Sequence, residues 1–418
     1  MEGKKSLRFR IIRLIILLLV LTPLWSFLAW AIRPVRPLNL FILDKTVPSQ
    51  KCPEHRSLNS VLIHQKFSKP DRKLYRVASD YWGFFPHTQG GDYRIKDLDS
   101  LIEARRDTLR KNSQLIPYYR KESRSNLTYQ QIDSLADQLD AIYYCDLYGI
   151  FQSEWYTDSL YDPDISQVIY GGMSEKDLYL LNRMKNLNKL VITEFNTYHD
   201  PTPEVVRAAY LDAMHFHPTG WIGAYLHSLD PVANRDIPLW ILRNYMRGHP
   251  GKWPFSKPGI VLINTDGRIE ILEDSTHLTA PVPSIITDDA FREENGIIGR
   301  VPYPFWFDVI EPTEDCNRIL SRFVLETNES GDSILRMNNI PREFPAVLAS
   351  TGTTRCYYFA ADFSDNPINL APAYFAGAGW FSKLFYETDY SQRSEFFYEY
   401  YRPLMDHILN DYYLSLRQ

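Results

Sequence analysis

Cysteine is scarce in this chain: only Cys52, Cys145, Cys316 and Cys356 occur among 418 residues. Their wide separation excludes a disulfide-dense scaffold and leaves no C-x-x-C zinc or redox motif. An oxidising compartment permits three pairings among them, and spacing selects none. Cys145 and Cys356 fall in apolar strand-like runs and read as small buried hydrophobes. The chain also lacks a G-x-x-x-x-G-K-[ST] phosphate loop, a G-x-G-x-x-G turn, an H-E-x-x-H zinc helix and a G-x-S-x-G nucleophile elbow. Internal repeats and low-complexity tracts are absent as well. Positive charge is short beyond the N-terminus. Within residues 1–13, Lys4, Lys5, Arg8, Arg10 and Arg13 oppose only Glu2, so a net charge of −5 leaves −9 on the remainder. An acidic body without a basic stripe repels phosphate backbones, and no nucleic-acid partner is expected. No cofactor and no dedicated metal site is expected either.

What is present begins with a long apolar run. Residues 14–32 carry no charge and are dominated by Leu and Ile. As a helix they would span roughly 30 Å, the thickness of a bilayer core. Trp25 and Trp30 sit near the far end, where indoles favour the interface, and the basic residues precede the run. The expectation is a basic cytoplasmic tail (1–13), a single transmembrane helix (14–32) and a stiff spacer (33–37). The main domain then lies outside the cytoplasm, in the periplasm. Cleavage at Ala29-Trp30-Ala31 is the competing reading, and it gives the same placement.

The body shows 44% hydrophobic and 14% aromatic residues, ample for a large core. Apolar strands alternate with capped helices over residues 38–255. Asn39–Leu43 reads as a strand ending at Asp44, Ala141–Cys145 as one ending at Asp146, and Lys189–Thr193 as one ending at Glu194. Between them, helices are expected over 55–67, 129–139, 174–187 (opened by a Ser174/Asp177 capping box) and 202–214 (Thr202 as N-cap, Pro203 next). That alternation predicts a mostly parallel α/β sheet flanked by helices. Residues 256–418 read as a hairpin-rich continuation packed with it as one unit. One hairpin turns on Asn264–Gly267, and a second is expected between Arg322–Leu325 and Ile334–Arg336. Tyr357–Ala360 adds a strand ending near Asp362, and an amphipathic helix closes the chain through Phe397, Tyr401, Leu404, Ile408 and Tyr412.

Four expected strands thus end in an acid: Asp44, Asp146, Glu194 and Asp362. Ligands of open α/β sheets bind beyond the carboxyl ends of the strands, so these acids are expected to converge on one crevice. Converging carboxylates divide acid and base roles, hold cations or accept hydrogen bonds from sugar hydroxyls. Asn196, in the cluster Glu194–Asp200, and the aromatics Tyr148, Trp155 and Trp221 are the expected ligand contacts. Each has a plainer alternative, since Asp and Asn after strands commonly shape turns and most aromatics pack cores. The short D-x-D triplets at Asp97 and Asp162 and the His215/His217 pair are weak metal signals.

Asp146-Leu147-Tyr148-Gly149, Tyr170-Gly171-Gly172, Glu194-Phe195-Asn196, Gly220–Gly223 and Tyr358–Asn366 together resemble a group of uncharacterised, membrane-anchored bacterial envelope proteins. That group is similar to a divergent class I glutamine amidotransferase-like (flavodoxin-like) domain, and the resemblance extends over residues 38–415. The nucleophilic cysteine of amidotransferases has no counterpart here, so amide hydrolysis by that mechanism is not implied. The leading expectation is an envelope protein that recognises or processes a carbohydrate, with Glu194 and Asp146 as the acid–base pair. The alternatives are a non-catalytic scaffold module whose C-terminal helix meets a partner protein, and a metal-dependent hydrolase using Glu194, His199 and Asp200.

Overall fold

The computed structural model describes residues 13, 20–88, 90–98, 129–156, 166–235, 237–249, 251–313, 315–382, 390 and 393–417. Its centre is five adjacent parallel strands. In spatial order they are Trp82–Pro86, Leu40–Asp44, Ala141–Tyr144, Leu190–Glu194 and Arg355–Phe359. The three middle strands are continuous apolar runs because both faces of the sheet are covered. Leu40, Ile42, Tyr143 and Ile192 point to one face, where Leu58, Val61, Leu404 and Ile408 of two helices meet them. Phe41, Leu43, Ile142, Tyr144 and Val191 point to the other, against Ile132, Leu181, Met184 and Tyr210. A one-residue slip in any of these strands would exchange the two sets.

The expected mostly parallel, flavodoxin-like sheet is not what forms. The ten-stranded sheet is mixed, because antiparallel strands extend the parallel block at both edges. Tyr93–Lys96 closes one edge, and Glu343–Ser350, Asn317–Val324, Ser284–Thr287 and Arg300–Pro302 continue the other. The fifth parallel strand, Arg355–Phe359, comes from the C-terminal half and enters beside Leu190–Glu194. The added strands pair antiparallel, so they join the sheet without the crossovers that further parallel strands would need.

A second, four-stranded antiparallel sheet runs Ile269–Glu273, Gly259–Asn264, Phe216–Leu226 and Trp306–Pro312. The Asn264–Gly267 turn joins its first pair as the sequence indicates, with Ile263 opposite Ile269. One face sends Ile260, Leu262, Phe307 and Val309 into the main core. The other packs Val261, Ile263 and Ile271 against the helix Leu239–Gly248.

Two further expectations are corrected. The second hairpin does not exist, because Glu329–Met337 is a helix. Asn328 starts it by accepting from the N–H groups of Ser330 and Gly331, so the polar segment serves as a cap rather than a turn. The transmembrane helix is likewise overturned: among the described residues no helix is long and apolar enough to cross a membrane. Residues 14–19 of that run lie outside the described residues. Residues 20–31 are helical, and their end docks on the domain. Trp30 is buried against Ile63 and Ala373, donates Nε1 to the Ile63 carbonyl at 3.1 Å, and packs on Tyr374. The indole expected at a lipid interface is thus committed to protein.

Candidate functional site

The carboxyl edge of the parallel block collects the acids. Asp44 ends its strand fully buried, and its neighbour across the ladder is Gly83. A Cβ on Gly83, whose φ is +136°, would lie 1.6 Å from the Asp44 carbonyl oxygen, so only glycine lets the strands approach there. Asp44 Oδ2 lies 2.5 Å from Nδ1 of the buried His55, and Oδ1 accepts from the Thr46 N–H at 3.1 Å. His55 Nε2 lies 2.8 Å from the Val77 carbonyl. The ring is thus held at both nitrogens, between a carboxylate and a backbone carbonyl.

Asp146 follows the next strand. Its Oδ1 accepts from Thr46 Oγ1 and from the Tyr148 N–H, both at 2.7 Å, and its Oδ2 accepts from Asn196 Nδ2 at 2.9 Å. Thr46 Oγ1 in turn accepts from the Gly149 N–H at 2.7 Å, so three loops are tied through one carboxylate. Burial raises its pKa to about 6, against the pull of those donors.

Glu194 sits deeper and is fully buried. The Tyr143 hydroxyl donates to Oε1, while Ser364 N–H and Oγ reach Oε2 at 3.0 and 2.9 Å. Tyr401 continues the chain, its hydroxyl 3.0 Å from that of Tyr143. Burial, joined by the Asp146 charge, lifts Glu194 to about 8 in spite of these donors. Both oxygens are engaged, so Glu194 braces the floor of the site and presents no free atom to a ligand.

Asp362, just past the fifth parallel strand, behaves differently. It is 8% exposed, yet its Oδ1 is buried without a hydrogen-bond partner among the described residues. Burial, with Asp365, Asp146 and Glu194 around it, pushes its pKa well above the carboxylate range. Glu54 approaches from the Pro53–His55 turn, is 7% exposed, and leaves Oε2 buried and without a partner among the described residues. Burial raises it as well, and Asp44, Asp365 and Asp146 are its charged neighbours. Asp365 is held by Arg393, whose Nη2 donates to its carbonyl at 2.6 Å and lies 3.4 Å from its Oδ1.

The structure therefore unites Asp44, Asp146, Glu194, Asn196 and Asp362, with Tyr148 half-buried beside them. It does not bring in Trp155 or Trp221. Both are almost fully buried; Trp155 packs on Phe84 and Tyr93, and Trp221 joins the core between the sheets. Glu54, His55, Ser364, Asp365 and Arg393 went unrecognised in the sequence. The readable hint was Asp362-Phe363-Ser364-Asp365, which returns an acid within one turn of the strand end.

The metal-hydrolase set disperses. His199 Nε2 lies 3.4 Å from the buried Asp308, and Asp200 pairs with Arg207 at the surface. Among the described residues no group of three metal-binding side chains is assembled. Asp99, Asp162 and Asp164 of the D-x-D triplets fall outside the described residues. All four cysteines are free. Comparison with family models, with curated proteins and with solved structures returns no match.

Proposed function

We propose that the carboxyl edge of the parallel block binds and processes a hydroxyl-rich, carbohydrate-like ligand. Asp146 would be the ionised group, and Asp362 the protonated one. The observation that carries this is the pair itself. Asp146 is held in place by donors from three loops with its pKa at about 6, whereas Asp362 is pushed well above the carboxylate range and keeps Oδ1 unpartnered. Two carboxyl groups whose surroundings drive their pKa values apart divide base and acid roles near neutrality. Glycosidic bond cleavage needs that division, one group ionised and one protonated beside the leaving oxygen. Asn196 and the Tyr148 ring would complete the contacts, the amide to a hydroxyl and the ring to a sugar face. Glu194, expected as acid or base with Asp146 as its partner, becomes a positioning residue beneath Asp146.

The scaffold alternative loses its main support, because the C-terminal helix buries Leu404, Ile408 and Tyr412 within the domain instead of presenting them to a partner. The test is a thermal-shift and hydrolysis panel of neutral oligosaccharides on the intact chain. A ligand at 100 times its dissociation constant adds about 2.7 kcal/mol of stability, readily seen in the melting temperature. Stabilisation that disappears in Asp146→Asn, with the variant still folded, supports the reading. Equal stabilisation of wild type and variant rejects it.

A further inference from the structure

The same edge holds more carboxyl groups than its own cations can meet. Asp44, Glu54, Asp146, Glu194, Asp362 and Asp365 gather there, and among the described residues two of them have basic partners within ion-pair distance: Asp44 with His55, and Asp365 with Arg393. Lys45 is committed elsewhere, to Asp177 and the Gly172 carbonyl. Glu54 is the group left over. It is 7% exposed, its Oε2 is buried without a partner, and Asp44, Asp365 and Asp146 surround it. A buried carboxyl oxygen that makes no hydrogen bond carries the full desolvation penalty, and a donor supplied from outside removes it.

Arg393 shows which donor the place accepts. Its guanidinium lies against Asp365 and 3.7 Å over the Phe305 ring, so the edge already seats one cation between an acid and an aromatic face. From charge complementarity we infer that Glu54 and Asp365 form a subsite for a protonated primary amine, so that the sugar-like ligand proposed above is an amino sugar with a free ammonium group. This rests on the carbohydrate reading for the ligand's frame, but the ammonium subsite itself does not. A neutral hydroxyl would satisfy Glu54 Oε2 geometrically; an ammonium would also pair with the charge Glu54 takes on when it ionises beside Asp365.

The experiment is isothermal titration of the full chain with three oligosaccharides of one length, built from glucosamine, N-acetylglucosamine and glucose, and with putrescine as a sugar-free amine. The expected result is a glucosamine oligomer bound about tenfold or more tighter than the two uncharged ones, the gain of a charge-assisted hydrogen bond in a dry site. Binding should release protons as Glu54 ionises, read as an enthalpy that changes with the buffer. Glu54→Gln should erase the preference and leave the binding of glucose oligomers unchanged. Equal affinity for all three oligomers, or a preference that survives Glu54→Gln, overturns the subsite while sparing the carbohydrate reading. Putrescine bound in a Glu54-dependent way with every saccharide silent upholds the subsite and rejects the carbohydrate frame. Silence from all four probes overturns the subsite.

Discussion

Glu194 and Glu273 are both buried strand-end glutamates, each meeting three hydrogen-bond donors, and they end in opposite electrostatic states. In the four-stranded antiparallel sheet, Glu273 Oε1 accepts from the N–H groups of Ser256 and Lys257 at 2.9 and 3.1 Å, and Oε2 from Thr276 Oγ1 at 2.9 Å. Burial pushes its pKa up, but those donors prevail and hold it below its ordinary value. At the carboxyl edge of the parallel block the balance reverses, and Glu194 rises to about 8. Donor count alone does not set the charge of a buried acid. What differs is depth, the neutral hydroxyls that replace backbone amides, and the acids that parallel topology crowds at one edge. Antiparallel strands distribute their ends to both edges and so dilute such crowding; parallel strands concentrate it.

The largest expected effect comes from breaking a satisfied pair within the crowded region. His55→Ala leaves the fully buried Asp44 Oδ2 without its partner, and removing one member of such a buried pair costs about 3–5 kcal/mol. Urea denaturation of the two proteins measures it; a loss comparable to that of an exposed pair would mean that water reaches Asp44 in the fold.

Next in size is a pH dependence of opposite sign in the two regions. Glu194 keeps its proton up to about 8 in the fold against an ordinary 4.5, so between those values the folded state binds more protons than the unfolded chain. Its contribution is therefore full below 4.5 and is lost as pH rises through about 8, and Asp146 behaves alike between 3.8 and about 6. Glu273, held below 4.5, contributes above that value and loses its contribution as pH falls through its folded pKa. Wild type should accordingly lose stability relative to Glu194→Gln as pH rises across the window, by on the order of a few kcal/mol between its ends. Denaturation curves at several pH values check it, and a constant difference would show Glu194 to be ionised throughout.

Glu273→Gln should cost about 2 kcal/mol near neutrality, because three charge-assisted hydrogen bonds become neutral ones. The same exchange at Glu194 in mildly acidic buffer should be nearly silent, since a neutral acid is replaced by a neutral amide. Equal costs for the two would remove the contrast. The smallest effect is expected at a site outside both clusters: Asn328→Ala removes the cap of the Glu329–Met337 helix, worth about 1 kcal/mol in thermal unfolding.

Much of the local structure was legible in the sequence, and the reasons are local. Leu40–Asp44, Ala141–Tyr144 and Leu190–Glu194 are short apolar runs bounded by polar residues, and the Ser174/Asp177 box starts its helix through two reciprocal hydrogen bonds. Thr202 is not the cap its position suggests: its Oγ1 accepts from the Met173 N–H, a partner 29 positions away that no local pattern signals. Asp44, Asp146, Glu194 and Asp362 could be placed at strand ends from the sequence, because the end of an apolar run is itself a sequence feature. That Glu194 faces down toward Tyr143 and Tyr401, and Asp362 stands free, could not.

The sequence by itself determined where three of the five parallel strands run, and that acids stand at the ends of four expected strands. Side-chain period and capping chemistry are properties of neighbours in the chain, so they need no knowledge of the fold. Only the tertiary structure decided that the sheet is mixed, that Trp30 docks on the domain, and that Glu54, Asp365 and Arg393 join the acids. Strand partners are chosen by long-range register, and Arg355–Phe359 finds Leu190–Glu194 across more than a hundred and fifty intervening residues. The protonation of each acid is decided the same way, by how deeply it is buried and which distant charges the fold sets beside it.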